Sequence, residues 1–249
     1  MRKIFFYITL FLFGMVSAQE EALFERANEL YNEEKYTEAI QIYDQILKNG
    51  QHATSLYFNK ANAHYKENQL AESIYNYEKA LMLDPSNEDV KTNLAFAKNQ
   101  LIDKIDVIPT SGFSKFFNSF VNIFHFDTWA IITVVLMLLF VLSFVKYTLE
   151  KYTGKKRLFF IVAGVSLLFS LLSLSFAYQQ QANVNNTKYA IVFAKESDVR
   201  AEPKLSGEQA FILHEGTKVQ VLDSFQDWVK IKLTNGSIGW ILKNDIKQL

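Results

Sequence analysis

Two long apolar stretches, residues 128–147 and 158–178, with no charge in their central parts, constrain this chain of 249 residues more than any other feature. Each matches the roughly 20 residues a helix needs to cross a hydrocarbon layer about 30 Å thick. Trp129, Tyr147 and Tyr178 stand at their ends, where amphipathic rings favour the headgroup level. Paired helices in a soluble core would carry a polar stripe. Leu167 to Leu174 offers only Ser170 and Ser173, whose hydroxyls can bond back to their own helix. The lipid bilayer is therefore the first expected partner. The connector, 148–157, and its edge hold Lys146, Lys151, Lys155, Lys156 and Arg157 against Glu150 alone, so the positive-inside rule assigns it to the cytoplasm and both flanks to the opposite side.

The N-terminus leads to the same topology independently. Arg2 and Lys3, the apolar run Ile4 to Met15 and the small residues before the end of 1–18 form the three parts of a secretory signal, with cleavage expected after Ala18. The alternative, an uncleaved anchor, has too short an apolar run to span comfortably. The expected location is a bacterial inner membrane with two spans and both terminal domains periplasmic. There is no Cys, which excludes disulfides, thiolate metal sites and cysteine nucleophiles. The net charge of zero argues against a nucleic-acid partner. It conceals a division: residues 19–127 carry 17 acidic against 10 basic side chains, whereas 128–178 carry 1 against 5. Partners of the first exported region should therefore be basic.

Shifting the chain by 34 residues aligns 20–53 with 54–87. Leu23 then meets Tyr57, Ala27 meets Ala61, Tyr31 meets Tyr65, Ala39 meets Ser73, Ile40 meets Ile74, Tyr43 meets Tyr77 and Leu47 meets Leu81. This pattern resembles the tetratricopeptide repeat, a pair of antiparallel helices that approach closely at small residues. Ala80 and Asp84-Pro85 fit the pattern in the second repeat, and Ile46 and Gln51 depart from it in the first. A terminal helix over 88–104, capped by Ser86-Asn87 and apolar at Leu94, Ala95 and Leu101, completes an all-α solenoid over 20–105. The resemblance assigns Phe24, Asn28, Tyr31, Phe58, Asn62, Tyr65 and Phe96 to the concave face. There the amides could pair with a peptide backbone and the rings hold its side chains. The same residues are also common consensus choices at these positions. Phe24 and Phe58 stand where some relatives hold a C-terminal carboxylate through lysine, which argues against that specificity.

Segment 110–127 spaces Phe113, Phe116, Phe117, Phe120, Val121 and Phe124 mostly three or four apart. Two readings stand: an amphipathic helix in the membrane interface, or the partner helix missing from the third repeat. Residues 189–249 change to a period of two. Short β-rich runs at 190–193, 210–213, 218–222, 228–233 and 238–242 are punctuated by turn signals, among them Asn235-Gly236. With Val199-Arg200-Ala201-Glu202-Pro203, Leu213-His214-Glu215-Gly216-Thr217-Lys218-Val219, Asp227-Trp228-Val229-Lys230-Ile231 and Gly239-Trp240-Ile241, this region resembles the bacterial SH3 domain, an all-β barrel whose members bind peptides or cell-wall material. Val219, Val221, Trp228, Ile231 and Trp240 are the expected core. Phe225, Trp228 and Trp240 are the groove candidates, with a purely structural tryptophan as the other reading.

No catalytic site and no metal or other cofactor is expected. His52, His64, His125 and His214 lack partners at metal-ligand spacing, no glycine loop cradles phosphate, and the acidic residues of the repeat helices read as solvated faces. The order of modules resembles the BatE-like aerotolerance proteins. That resemblance implies a non-enzymatic scaffold in an envelope stress-resistance complex, with von Willebrand A-domain and other repeat membrane proteins as partners. A competing reading is a sensor or anchor holding peptidoglycan.

Overall fold

The computed structural model describes residues 20–106, 112–121, 123–124 and 126–249, so the signal reading of 1–18 lies outside the described residues. The chain divides into two compact units, one formed by 1–107 with 189–249 and the other by 108–188.

The first unit opens with α1 (20–32), α2 (Tyr36–Lys48), α3 (Thr54–Lys66), α4 (Leu70–Leu83) and α5 (Glu88–Asn99). The 34-residue period is physical. Glu34 and Asn68 occupy the same left-handed turn position between paired helices, with φ of 62° and 58°. Ala27, Ala39 and Tyr43 are fully buried in the first pair, and Ala61, Ser73 and Tyr77 take the equivalent places in the second. Ile46 is buried as well, so its bulk is accommodated in the first pair. Asn87 caps α5 by accepting from the Val90 amide at 3.1 Å. This helix ends at Asn99 rather than 104, and its buried face is Val90, Leu94 and Ala97, one turn after another, whereas Ala95 is exposed.

The C-terminal part is a seven-stranded sheet of β1 (Lys188–Val192), β2 (Glu196–Arg200), β3 (Gln209–His214), β4 (Lys218–Phe225), β5 (Trp228–Lys232), β6 (Ile238–Leu242) and β7 (Ile246–Gln248), ordered β3-β2-β6-β5-β4-β1-β7. The pairs β2–β3, β2–β6, β4–β5, β5–β6 and β1–β7 are antiparallel. Asn235-Gly236 makes the expected tight turn, Gly236 having φ of 84°. Gly239 lets β2 cross closely, because a Cβ there would collide with Val199 Cγ1. The inward set is Ala190, Val192, Val199, Leu213, Val219, Val229, Ile231, Leu233 and Ile241.

The helical stack and the sheet share one interior. Ile191 of β1 lies in the core cluster of the second helix pair, among Ala61, Ile74, Tyr77 and Val90. Sheet packing thus closes the helical stack, the place where the sequence lacks a partner helix.

The second unit holds α6 (Gly112–Val121), α7 (Phe126–Leu149) and α8 (Thr153–Asn186). In this unit α6 packs against α8 through Phe117 and Phe120. Phe117, Phe120 and Trp129 all set ring edges on Phe176, and Trp129 Nε1 donates to the Val121 carbonyl at 2.8 Å. Trp129 is therefore enclosed rather than turned outward. Both α7 and α8 are long and apolar enough to cross a membrane. At 1.5 Å per residue, α7 is about 36 Å long. The connector is shorter than 148–157: only residues 150–152 are non-helical, and Lys155, Lys156 and Arg157 lie in the first turns of α8. Residues 179–186, polar in sequence, continue the same helix. Ala163, Ser166, Ser170, Ser173 and Ala177 recur at three and four along α8 and are buried. Ser170 and Ser173 donate across to the Thr133 and Trp129 carbonyls of α7, at 3.1 and 2.7 Å, instead of back to their own helix.

Candidate binding surfaces

Each repeat builds the same polar knot. Asn28 Oδ1 accepts from Tyr43 Oη at 2.7 Å and from Asn59 Nδ2 at 2.8 Å. One period later Asn62 Oδ1 accepts from Tyr77 Oη at 2.5 Å and from Asn93 Nδ2 at 2.9 Å. The carbonyl ends of both asparagines are thus committed internally, while their Nδ2 groups bond to no described residue. Burial pushes both tyrosine hydroxyls up, so they remain protonated donors. Phe24 and Phe58 tilt onto these tyrosines at 6.1 and 6.0 Å and serve the knot more than the opening. A hollow of about 230 Å³ brings together Tyr31, Asn62, Tyr65 and Phe96, to which the structure adds Lys66, Tyr77 and Asn93. Phe96 is 59% exposed. Asn59 and Asn93, absent from the sequence reading, are themselves 34 residues apart, a match the self-comparison could have yielded.

The sheet separates its three aromatic candidates. Trp228 is buried and borders a hollow of about 330 Å³ with Glu196, Asp198, Arg200, Leu205 and Asp245. Phe225, paired with Trp228 across the β4–β5 hairpin, is 51% exposed. Trp240 is half-buried on the face opposite Ile241, so it is not part of the core. It stands in register between Arg200 and Lys230, and the Lys230 ammonium lies 5.8 Å from its ring centre. Val221, expected in the core, is only partly buried at its edge.

The junction between stack and sheet is held by charge. Glu78 on α4 has a side chain only 8% exposed and is no solvated residue, contrary to the sequence reading. Its two oxygens take Lys98 at 2.8 Å and Lys218 of β4 at 2.6 Å. Burial raises its carboxyl, and the two ammonium groups outweigh this, leaving it below the usual range. Lys218 also lies 4.5 Å from the Tyr189 ring centre. Below α5, Asp103 accepts from the His214 amide at 2.7 Å, from Thr217 Oγ1 at 2.6 Å and faces His214 Nδ1 at 2.8 Å. Its carboxyl is likewise raised by burial and lowered further by these donors. Gly216, with φ of 86°, fits between Leu101 and Ile74, where a Cβ would approach to 2.6 and 3.1 Å. His64 is buried against Gln69 Oε1 at 2.6 Å, and His52 stacks on Tyr57. Among the described residues no group of three or more His, Asp or Glu side chains is placed to hold a metal ion.

Residues 61–101 match the family model of the TPR repeat, and residues 196–247 match that of the bacterial SH3 domain. The chain carries a tetratricopeptide repeat and a bacterial SH3 domain. No curated protein matches it. Among solved structures it is similar to an NlpC/P60 family protein from Bacillus cereus, at 20% identity over 28% of this chain and 23% of that one, with a TM-score of 0.22. The chain thus matches about a quarter of that protein's length, and a likeness so slight bears on no residue here. Both matched domains suggest binding roles: the hollow at Tyr31, Asn62, Tyr65 and Phe96 lies among the helices, and the hollow beside Trp228 lies in the SH3 domain.

Proposed function

We propose that this protein is a non-enzymatic scaffold, held in a bacterial inner membrane by α7 and α8, that presents its repeat and SH3 domains as one periplasmic binding body. The observation that carries the reading is the junction. Two modules that usually act as separate beads here share a core through Ile191 and a buried carboxylate through Glu78. A body of this kind fixes the angle between two bound partners, which suits assembly more than tethering. The module order supports a place in an aerotolerance or envelope stress-resistance complex, with von Willebrand A-domain and other repeat membrane proteins as partners. Residues Asn28, Tyr31, Asn62, Tyr65 and Phe96, backed by Phe24 and Phe58, form the proposed peptide-binding face.

In-cell crosslinking with mass spectrometry tests this reading. Recurrent crosslinks from the repeat domain to a few membrane proteins are expected, and recovery of none would overturn it. Topology is tested separately by cysteine labelling, which is clean because the chain has no native cysteine. Gly154→Cys should be protected from an impermeant maleimide in intact spheroplasts, and Ser224→Cys should be labelled.

A second reading, a peptidoglycan anchor, is favoured by Trp240. A half-exposed ring flanked by Arg200 and Lys230 suits a sugar face beside a carboxylate. Retention of the protein on purified sacculi, lost on Trp240→Ala, would support it.

A further inference from the structure

A groove of about 640 Å³ lies where the repeat domain meets the SH3 domain, lined by residues of both. We propose that this groove is a second binding site and that it takes an extended, acidic segment of a partner protein.

Its walls carry more cationic than anionic side chains. Lys98, Lys104, Lys218 and Lys232 line it, with Asp103 and Asp106 the acidic residues of the lining. Both oxygens of Asp103 are already occupied by His214 and Thr217. Glu78, behind the wall, spends one oxygen on Lys98 and the other on Lys218. An ammonium has three donors, so each of these two lysines is fixed in place and still has donors to offer. Lys104 gives one bond to the Asn99 carbonyl, and the Lys232 ammonium bonds to no described residue. Carboxylates arriving from a ligand would meet positioned cations in a partly enclosed setting, where such contacts are stronger than on an open surface.

The strap after α5 favours a peptide as the source of those carboxylates. Residues 102–106 lie outside any helix or strand, 103–106 line one wall, and their backbone N–H and C=O groups make no hydrogen bond to another described backbone group. An extended chain laid beside them could satisfy both sets of groups, as strands do when added to a free edge. Apolar residues line the groove beside the lysines: Leu101 and Ile105 from the chain after α5, Leu233 and Tyr189 on the SH3 side. A segment alternating acidic and aliphatic residues would offer a partner to both kinds of side chain.

The test uses the full chain in nanodiscs of zwitterionic lipid and a fluorescein-labelled octapeptide alternating leucine and glutamate, followed by fluorescence anisotropy. Saturable binding is expected, weakened by about tenfold when glutamine replaces glutamate or when salt is raised. The pair Lys104→Glu and Lys232→Glu should reduce affinity by a similar factor, and Lys104→Arg with Lys232→Arg should retain it. Both lysines are exposed, so an unchanged melting transition is expected for each variant. Equal binding of the two peptides, or undiminished binding by the charge-reversed protein, would overturn the proposal. So would loss of binding only on Tyr65→Ala with Phe96→Ala, since that would put the peptide on the concave face. The result is independent of the crosslinking above, which can succeed through the concave face alone.

Discussion

The molecule has two kinds of internal seam, and they use opposite chemistry. Between the repeat domain and the SH3 domain, orientation is set by Glu78 and Asp103, whose oxygens are shared among lysines, a histidine and a threonine from both sides. Between α7 and α8, it is set by small residues and by hydroxyls reaching across to carbonyls. In water, apolar burial supplies attraction but little direction, and a partly buried ion pair adds the direction. Between apolar helices that expose Val, Leu and Phe all round, burial offers no contrast with a lipid surrounding. Close approach and hydrogen bonds must then do the sorting.

The sharpest way to break the first seam is Glu78→Ala, which leaves Lys98 and Lys218 facing each other. It should cost about 3 kcal/mol. Hydrogen exchange should then show the sheet and the helical stack opening separately, where the parent opens as one body. Lowering the pH attacks the same seam without a mutation. Glu78 and Asp103 both lie below their ordinary values of 4.5 and 3.8, so the stability they contribute is complete above those values and is lost as pH falls through the depressed ones. His64 adds an earlier decline. Burial lowers it from 6.5, so the unfolded chain gains a proton first and stability falls with pH below that value. Thermal melts across this range should show two successive losses, and Glu78→Gln should remove much of the later one.

Gly216→Ala tests the same seam by shape. A left-handed φ together with contact at 2.6 Å on Leu101 should cost about 2 kcal/mol. In the second seam the expected effects are smaller. Ser173→Ala should weaken the pairing of α7 and α8 by about 0.6 kcal/mol, the usual size for one such bond between membrane helices. A thiol-exchange equilibrium between helices carrying introduced cysteines would measure it. A loss there as large as that of Glu78→Ala would erase the contrast between the seams.

What could be read from the sequence was what is local or periodic. The shift of 34 finds the helix pairs, and the run of turn signals with Asn235-Gly236 finds five of the seven strands. Two strands escape for physical reasons. Glu196–Arg200 alternates charged with buried residues and lacks an apolar run, and Ile246–Gln248 is too short to show a period. The junction was illegible because Glu78 and Lys218 are 140 residues apart and each looks like an ordinary surface charge. The serines of α8 pointed the right way only in part. Their hydroxyls do meet carbonyls, but on the neighbouring helix, a distinction that composition does not carry. Of the candidate site residues, the sequence placed Asn28 and Asn62 by type. It could not foresee that their carbonyl ends would be occupied by Tyr43 and Tyr77.

Ile191 also bears on the order in which the protein matures. Its side chain completes the interior of helices that leave the ribosome first, yet it follows them only after two long apolar helices have been made. Until β1 arrives, the end of the stack presents Ile74, Tyr77 and Val90 without their last neighbour. The N-terminal repeats are therefore an unfinished client during synthesis, and a chain truncated after α8 should leave them open to proteases and chaperones.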